Sequence, residues 1–210
     1  MSDFPRLYLV TPARMKSARA ADVLPELIDA GVDIVQLREA KEVEAGDLLR
    51  EGAPLLDICR ARGVPFIVND RPDVVLALGA DGVHLGQNDL SPGVARQILG
   101  EKVMVGRSTH SVAEIDTELA WPDRIDYLAV GPVRATPTKP GRPGTGFDLP
   151  RYAAATAGLP WFVTGGMNPD TLPEAIAAGA KRVVVVRAFT EASDPPRVAA
   201  TMRALLDAAH

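Results

Sequence analysis

Short apolar runs alternate with longer amphipathic segments along the whole chain. The runs are continuously apolar, which is typical of parallel strands buried on both faces. Segments such as Ala45–Arg62 and Pro169–Ala178 lie between them and carry apolar residues at helical spacing. The predicted strands are Arg6–Val10, Asp33–Leu37, Pro65–Val68, Gly82–Leu85, Lys102–Gly106, Tyr127–Gly131, Trp161–Thr164 and Arg182–Val186.

Signals for helix ends agree with this alternation. Ser91, Asn168 and Asp194 each precede a proline, which places a capping side chain before a residue suited to the first helical turn. A weak internal repeat places a glycine before a strand, where it would end a helix in the left-handed conformation. Its three copies are Ala30–Asp33, Leu78–Asp81 and Ala178–Lys181.

Repeated strand-then-helix units with no spare element fit a closed (β/α)8 TIM barrel better than an open doubly wound sheet, which remains the alternative on pattern alone. No linker divides the chain, so residues 1–210 are predicted to form a single (β/α)8-barrel domain. The long Gly/Pro-rich stretch Thr136–Gly146 follows the sixth predicted strand. In a barrel it would lie over the active face, as expected of a functional lid.

Composition narrows the classes of function. With 210 residues, 47% of them hydrophobic and 24% charged, the chain can build one well-buried core and is not disordered. Its net charge of −4 provides no basic field for nucleic acid. The single cysteine, Cys59, excludes an intrachain disulfide and is predicted to be buried. No apolar run has the length of a membrane span, so a cytoplasmic location is expected.

Two carboxylates follow adjacent predicted strands. Barrel enzymes carry their chemistry at the carboxyl ends of the strands, where Asp70 and Asp89 would converge on one cation. A carboxylate pair that leaves room for water and substrate phosphate suits Mg²⁺. The structural alternative makes Asp70 a helix cap before Pro72 and Asp89 a turn residue before Ser91.

A second group of strand-end residues is suited to anions. Thr136, Thr138, Lys139 and Arg38 offer hydroxyl and cationic donors, and Gly165-Gly166 lets backbone N–H groups approach a ligand closely. The loops after strands seven and eight are the usual phosphate site of such barrels. These residues predict a small phosphorylated substrate.

Two histidines have less specific positions. His84 lies within an apolar strand and is interpreted as a barrel histidine with satisfied hydrogen bonds. His110 precedes the capping residue Ser111, and both a functional and a structural interpretation remain open for it.

Motifs that occur in order along nearly the whole chain carry a family resemblance. They are Leu7–Thr11, Val35–Glu39, Val68–Arg71, Gly82–Asp89, Ser108–Ser111, Gly131-Pro132, Thr136–Lys139, Gly165-Gly166 and Val185–Ala188. Together they resemble the thiamine-phosphate synthase (thiamine-phosphate pyrophosphorylase) family. The resemblance implies a magnesium-dependent transferase that forms a homo-oligomer, either a dimer or an assembly of dimers. It would condense hydroxymethylpyrimidine diphosphate with hydroxyethylthiazole phosphate to thiamine phosphate and pyrophosphate by a dissociative substitution.

The resemblance also implies roles for individual residues. Asp70 and Asp89 would hold Mg²⁺ against the diphosphate, and Arg38, Ser108 and Lys139 would be catalytic. Gln36 and Asn69 would contact the pyrimidine, and Thr136 and Thr138 the thiazole phosphate region. The full substrate-binding set is Gln36, Arg38, Lys41, Asn69, Ser108, Thr136, Thr138, Lys139, Gly165, Val186 and Arg187.

One departure from the family leaves alternatives to the synthase. The family commonly has Arg-Glu-Lys after the second strand, whereas here Lys41 comes one position later, in Arg38–Lys41. Gly106–Ser108 followed by His110-Ser111 also resembles a thiazole tautomerase, a relative on the same barrel that works without magnesium. A non-catalytic regulator that binds thiazole phosphate is a third interpretation. Asp70, Asp89 and Thr138 favour the synthase over the tautomerase, which has no diphosphate to bind, and a regulator would have no use for the two carboxylates.

Overall fold

The apolar runs form eight parallel strands that close into a barrel. The computed structural model describes residues 4–16, 18–121, 124–135 and 143–209. Each strand pairs with the next, and β8 pairs with β1, so the barrel prediction is confirmed and the open sheet is wrong. The strands are β1 (Leu7–Thr11), β2 (Ile34–Leu37), β3 (Phe66–Asn69), β4 (Gly82–Leu85), β5 (Met104–Thr109), β6 (Tyr127–Val130), β7 (Trp161–Val163) and β8 (Val183–Val185).

Helices follow the strands and cover the outside of the barrel. They are α1 (Ala20–Asp29), α2 (Ala45–Ala61), α3 (Pro72–Leu78), α4 (Pro92–Leu99), α5 (Val112–Leu119), α6 (Asp148–Thr156), α7 (Leu172–Ala177), α8 (Arg187–Thr190) and α9 (Pro195–Ala208). Ser91 and Asp194 cap α4 and α9 as predicted, through Oγ and Oδ1 respectively. The side chain of Asn168 makes the predicted capping contacts, because its Oδ1 accepts the amides of Asp170 and Thr171, although α7 itself begins only at Leu172.

Two layers of core explain why the strands are continuously apolar. Leu7 and Leu9 face the helices and belong to the large outer cluster, whereas Tyr8 and Val10 face the barrel interior. Alternate residues of one strand therefore enter different cores, and both faces are buried. The interior cluster consists of Tyr8, Val10, Ile34, Ile67, Tyr127, Phe162 and Val184.

An aspartate stands immediately before each of β2, β4 and β6 and makes the same pair of hydrogen bonds. Its carboxylate accepts the N–H of one residue in the preceding strand, and its own N–H donates to the carbonyl of that residue. The pairs are Asp33 with Leu7, Asp81 with Phe66 and Asp126 with Val105. Arg182 stands at this position before β8, so no aspartate makes this pair of hydrogen bonds there.

The remaining structural predictions concern glycine, cysteine and membrane spans. Gly31, Gly79 and Gly179 all have positive φ, as the repeat predicted. Cys59 is buried, and burial raises the pKa of its thiol to about 12. Within the described ranges, no helix combines the length and the apolar character that crossing a membrane requires.

Candidate active site

A cavity of about 330 Å³ lies at the carboxyl ends of the strands. A neighbouring cavity of about 220 Å³ is lined by Asp70, Asp89 and Lys41. The two cavities share five lining residues, which therefore lie between the larger cavity and the cavity that Asp70 and Asp89 line. These are Arg38, Asn69, His84, Ser108 and His110.

The structure brings the two predicted metal ligands together. Burial and the hydrogen-bonded Asp89 carboxylate raise the pKa of Asp70 to about 6. Burial alone would raise the pKa of Asp89, but hydrogen bonds from Asp70, Lys41 and the Gly86 amide together lower it. Of the two carboxylates, Asp70 is therefore the one that binds a proton first as the pH falls.

The structural alternatives for these two residues have different outcomes. The residue preceding α3 is Arg71, and α3 has no side-chain cap, so Asp70 does not act as a helix cap. Its backbone instead has φ of 61°, and its N–H donates to the carbonyl of His84 in β4. Asp89 does act in a turn, since its Oδ2 accepts the Gly86 N–H at 2.9 Å.

Lys41 reaches the same carboxylates despite its shifted position in the sequence. Its Nζ lies 3.2 Å from Asp89 Oδ1, and 73% of its side chain is exposed. The hydrogen bond to Asp89 and the charges of both carboxylates raise the pKa of Lys41. The extra residue in the loop therefore leaves a cation beside the carboxylate pair.

Arg107 fixes the loop that carries Asp89. Its Nε pairs with Glu118 at 2.8 Å, and both side chains are largely buried. Its guanidinium also donates to the carbonyl of Gly86 at 2.6 Å and to Gln87 Oε1 at 3.4 Å. Arg107 thus connects β5 and α5 to the loop after β4.

Gln36 and Ser108 lie at opposite ends of a buried chain of hydrogen bonds. Gln36 Nε2 donates to the Tyr8 hydroxyl at 2.6 Å, and the hydroxyls of Tyr8 and Tyr127 are 2.8 Å apart. His84 Nδ1 lies 3.1 Å from the Tyr127 hydroxyl, and His84 Nε2 lies 2.9 Å from Ser108 Oγ. His84 thus has satisfied hydrogen bonds, as predicted, and it also lines both cavities.

Sequence reasoning did not identify Tyr8 and Tyr127. Both lie within apolar runs that predict strands, and nothing in those runs marks them as part of a site. The alternation of inner and outer residues along β1 and β6 was the available signal, because it places polar hydroxyl groups inside the barrel.

The remaining predicted residues of the described part of the chain line the larger cavity. Gly165, Val186 and Arg187 line it, as do Gln36 and Asn69. Gly165 has φ of 104°, and a Cβ there would lie 2.5 Å from the Cβ of Pro132, so only glycine fits. His110 also lines this cavity and places its Nδ1 2.6 Å from the carbonyl of Gly131. Thr136, Thr138 and Lys139 lie outside the described residues.

Comparison with known proteins identifies the family. A family model described as thiamine monophosphate synthase matches residues 7–189. The chain belongs to this family. A thiamine-phosphate synthase from Acidothermus cellulolyticus is 47% identical over 205 residues, covering 97% of this chain and 96% of that protein. A thiamine-phosphate synthase from Thermus thermophilus is 48% identical over 201 residues, covering 94% and 95%.

Solved structures agree with the thiamine monophosphate synthase family. The thiamine phosphate pyrophosphorylase from Pyrococcus furiosus superposes with a TM-score of 0.86 at 27% identity, covering 97% of this chain and 96% of that one. A 3-hexulose-6-phosphate synthase from Salmonella typhimurium has a TM-score of 0.70 at 20% identity, covering 98% and 100%, and shares the fold alone. The predicted family and the predicted class, a transferase that releases pyrophosphate, are therefore confirmed.

Proposed function

We propose that this barrel joins hydroxymethylpyrimidine diphosphate to hydroxyethylthiazole phosphate, giving thiamine phosphate and pyrophosphate. The observation that carries the proposal is the pair of carboxylates, Asp70 and Asp89, that line one cavity beside the larger one. A tautomerase or a thiazole-phosphate sensor has no diphosphate to bind and so no use for this pair.

The carboxylate pair fits Mg²⁺. The described residues contain no group of three or more acidic, histidine or cysteine side chains suited to a metal, so a closed protein cage is absent from them. Two carboxylate ligands suit a cation that keeps several waters and also binds substrate phosphate. When bound, Mg²⁺ supplies charge neutralisation for the diphosphate. Below about pH 6, where Asp70 is protonated, cation binding would release that proton.

The chain's own cations complete the diphosphate site. Arg38 lines both cavities, and Lys41 stands beside Asp89. Lys139, which lies outside the described residues, is predicted to join them. These cations stabilise the charge that appears on the leaving oxygen as the methylene carbon–oxygen bond breaks. The thiazole nitrogen then donates its lone pair to the methylene cation, and the new carbon–nitrogen bond completes the transfer.

The larger cavity would hold the two rings in contact. Gln36 and Asn69 lie on the side nearer the carboxylates and would orient the pyrimidine. Gly165, Val186 and Arg187 lie on the other side, where barrel enzymes commonly bind phosphate, and would receive the thiazole phosphate. Thr136 and Thr138 are the further predicted partners of that phosphate. A homo-oligomer, a dimer or an assembly of dimers, remains the predicted state of the protein.

Incubation of the purified protein with both substrates tests the proposal. Thiamine phosphate should form with Mg²⁺ and should fall to background with EDTA. Asp70→Asn should reduce turnover at least a hundredfold, by the loss of a metal ligand. The matched control is Asp73→Asn, a nearby exposed carboxylate that lines neither cavity and should retain near-normal turnover.

Other results would redirect the assignment. Product that is equally abundant in EDTA would reject the metal role of Asp70 and Asp89. A folded protein that makes no thiamine phosphate but isomerises the thiazole phosphate would be a tautomerase. One that binds the thiazole phosphate without turnover would be a sensor.

A further inference from the structure

The hydrogen bonds beneath the site form a continuous chain that joins two predicted substrate-binding positions. It runs from Gln36 through Tyr8, Tyr127 and His84 to Ser108, with donor–acceptor distances between 2.6 and 3.1 Å. Tyr8 and Tyr127 are fully buried, and His84 and Ser108 are only 7% and 4% exposed. Bulk water therefore has little access to these hydrogen bonds, and each side chain depends on its neighbours in the series for its hydrogen-bond partners.

Proton counting gives the direction of the first bonds. Gln36 Nε2 donates to Tyr8. Burial raises the pKa of both tyrosine hydroxyls, so each keeps one proton to donate. Among the described residues, the Tyr127 oxygen is the only acceptor within hydrogen-bond distance of the Tyr8 hydroxyl. Because a buried hydroxyl proton without an acceptor is unfavourable, Tyr8 donates to Tyr127.

The remaining directions then follow. Tyr127 has received a proton from Tyr8, so it donates its own to His84 Nδ1. A neutral imidazole that accepts at Nδ1 carries its proton on Nε2. His84 Nε2 therefore donates to Ser108 Oγ, which leaves the hydroxyl proton of Ser108 directed away from His84. Because Ser108 lines both cavities, that proton faces the region where the bond to diphosphate would break.

We infer that His84 is a positioning residue that makes Ser108 a hydrogen-bond donor to the leaving diphosphate oxygen. The amide of Gln36 sets the tautomer of His84 through the hydroxyls of the two tyrosines. The hydrogen bond that Gln36 donates therefore determines whether Ser108 can donate to the leaving group. This role rests on the proposed function. The bond from Ser108 strengthens as negative charge develops on the leaving oxygen, so it acts on turnover more than on binding.

Nitrogen NMR tests the tautomer without measuring activity. The chain has three histidines, and His84→Gln assigns the His84 signals by their loss. In the wild-type protein we expect a neutral ring with Nε2 protonated and Nδ1 unprotonated. Tyr127→Phe removes the donor to Nδ1 and should increase the Nδ1-protonated form. A wild-type ring that carries its proton on Nδ1 would overturn the inference.

Kinetics test the coupling to Ser108. Tyr127→Phe should lower kcat about tenfold, the equivalent of one hydrogen bond, and change the KM for the pyrimidine diphosphate by less than about twofold. In a Ser108→Ala background the same substitution should cause no further loss, because the donor that it acts through is gone. Equal losses in both backgrounds would show that Tyr127 acts elsewhere.

Phe162→Leu is the control for packing. Phe162 contacts both tyrosine rings but makes none of the hydrogen bonds and lines neither cavity. The Phe162→Leu variant should leave the His84 tautomer and kcat unchanged. A change in either quantity as large as that caused by Tyr127→Phe would overturn the inference. The two proposals also fail differently. Absence of thiamine phosphate from the wild-type protein overturns both, whereas normal turnover with an Nδ1-protonated His84 overturns only the positioning role.

Discussion

Asp70 combines two local features that are unfavourable for folding and useful for binding a cation. Its φ of 61° lies in the left-handed region, which aspartate and asparagine tolerate better than most residues. Its pKa is raised from 3.8 to about 6 by burial and by Asp89. A raised pKa means that the protonated carboxyl contributes stability below pH 3.8, and this contribution is lost as the pH rises through about 6.

Asp70→Asn should therefore stabilise the metal-free protein at pH 8 while it impairs catalysis. Asparagine keeps the backbone conformation and removes the buried charge. Because Asp70 retains partial solvent exposure, screening reduces the expected gain in unfolding free energy to about 1 kcal/mol. Most of the gain should disappear by pH 4. Urea unfolding in EDTA at both pH values measures the difference.

The control variant, Asp73→Asn, should change the unfolding free energy at pH 8 in the opposite direction. The hydrogen bond from Arg71 lowers the pKa of Asp73, so Asp73 contributes stability above its unfolded pKa and loses it as the pH falls. Asp73→Asn should therefore slightly destabilise the protein at pH 8. A gain from Asp70→Asn that is equally large at pH 4 and pH 8 would show that charge is not its cause.

Lys41 occupies the position where a divalent cation would compete for Asp89. Lys41→Met should tighten Mn²⁺ binding two- to fivefold without substrate and change the unfolding free energy by less than about 0.5 kcal/mol, as for other exposed ion pairs. It should also raise the KM for the pyrimidine diphosphate, because a cation is lost from that site. Mn²⁺ titration followed by electron paramagnetic resonance measures the first effect. Lys102→Met is the exposed control, and weaker Mn²⁺ binding in Lys41→Met would contradict the competition.

At the scale of elements, the loop after β4 depends on an ion pair contributed by β5 and α5. Arg107 and Glu118 have side-chain exposures of only 8% and 12%, and Arg107 also binds the loop backbone. Glu118→Gln leaves a buried guanidinium without its counter-charge and should lower the unfolding free energy by about 2 kcal/mol. It should also weaken Mn²⁺ binding, because the loop carries Asp89. Chemical denaturation and Mn²⁺ titration measure the two effects.

The exposed pair of Arg134 and Glu174 supplies a matched control for that substitution. Both side chains are about half exposed, at 52% and 55%, so Glu174→Gln should change the unfolding free energy by less than about 0.5 kcal/mol. A loss of similar size in both variants would show that burial does not determine the contribution of the Arg107 pair.

Strand boundaries show what local pattern can and cannot predict. β4 matches its predicted bounds, whereas β5 runs over Met104–Thr109 instead of ending at Gly106. The predicted strand ends at Gly106, but Gly106 lies inside β5. Only glycine fits there, because a Cβ would be 2.0 Å from Cζ of Tyr127. The requirement comes from a neighbouring strand, which local sequence does not reveal. The correction places Ser108 within a strand and so fixes its position.

At the scale of the whole molecule, topology determines which parts of the site were predictable. Asp70 and Asp89 follow adjacent strands, so their convergence follows from the barrel alone. The series of hydrogen bonds from Gln36 to Ser108 involves residues from five strands. It forms only because these side chains point into the barrel at the same height along the barrel axis. The sequence pattern does not specify the height of each side chain along the barrel axis, so it does not identify Tyr8 and Tyr127 as part of the site.

The repeated aspartates lead to a prediction about the cooperativity of the closed barrel. Asp81→Ala and Asp126→Ala each leave a strand amide without its acceptor, which should lower the unfolding free energy by about 1–2 kcal/mol. Asp126→Ala also removes the counter-charge of the largely buried Arg96, so its total loss should be larger, about 3 kcal/mol. The two sites share no partner, so the double variant should be additive within about 0.5 kcal/mol. Because every strand of the closed barrel depends on both neighbours, one unfolding transition should remain.

Urea unfolding monitored by both fluorescence and circular dichroism distinguishes this behaviour from its alternative. Asp57→Ala, at an exposed position in α2, is the control and should be nearly neutral. The double variant should show coincident transitions with the two probes at a lower urea midpoint. Separate transitions would mean that the half of the barrel containing β3 to β6 can open while the rest stays folded. In that case the aspartates would hold a local unit, and closure of the barrel would not make its unfolding a single event.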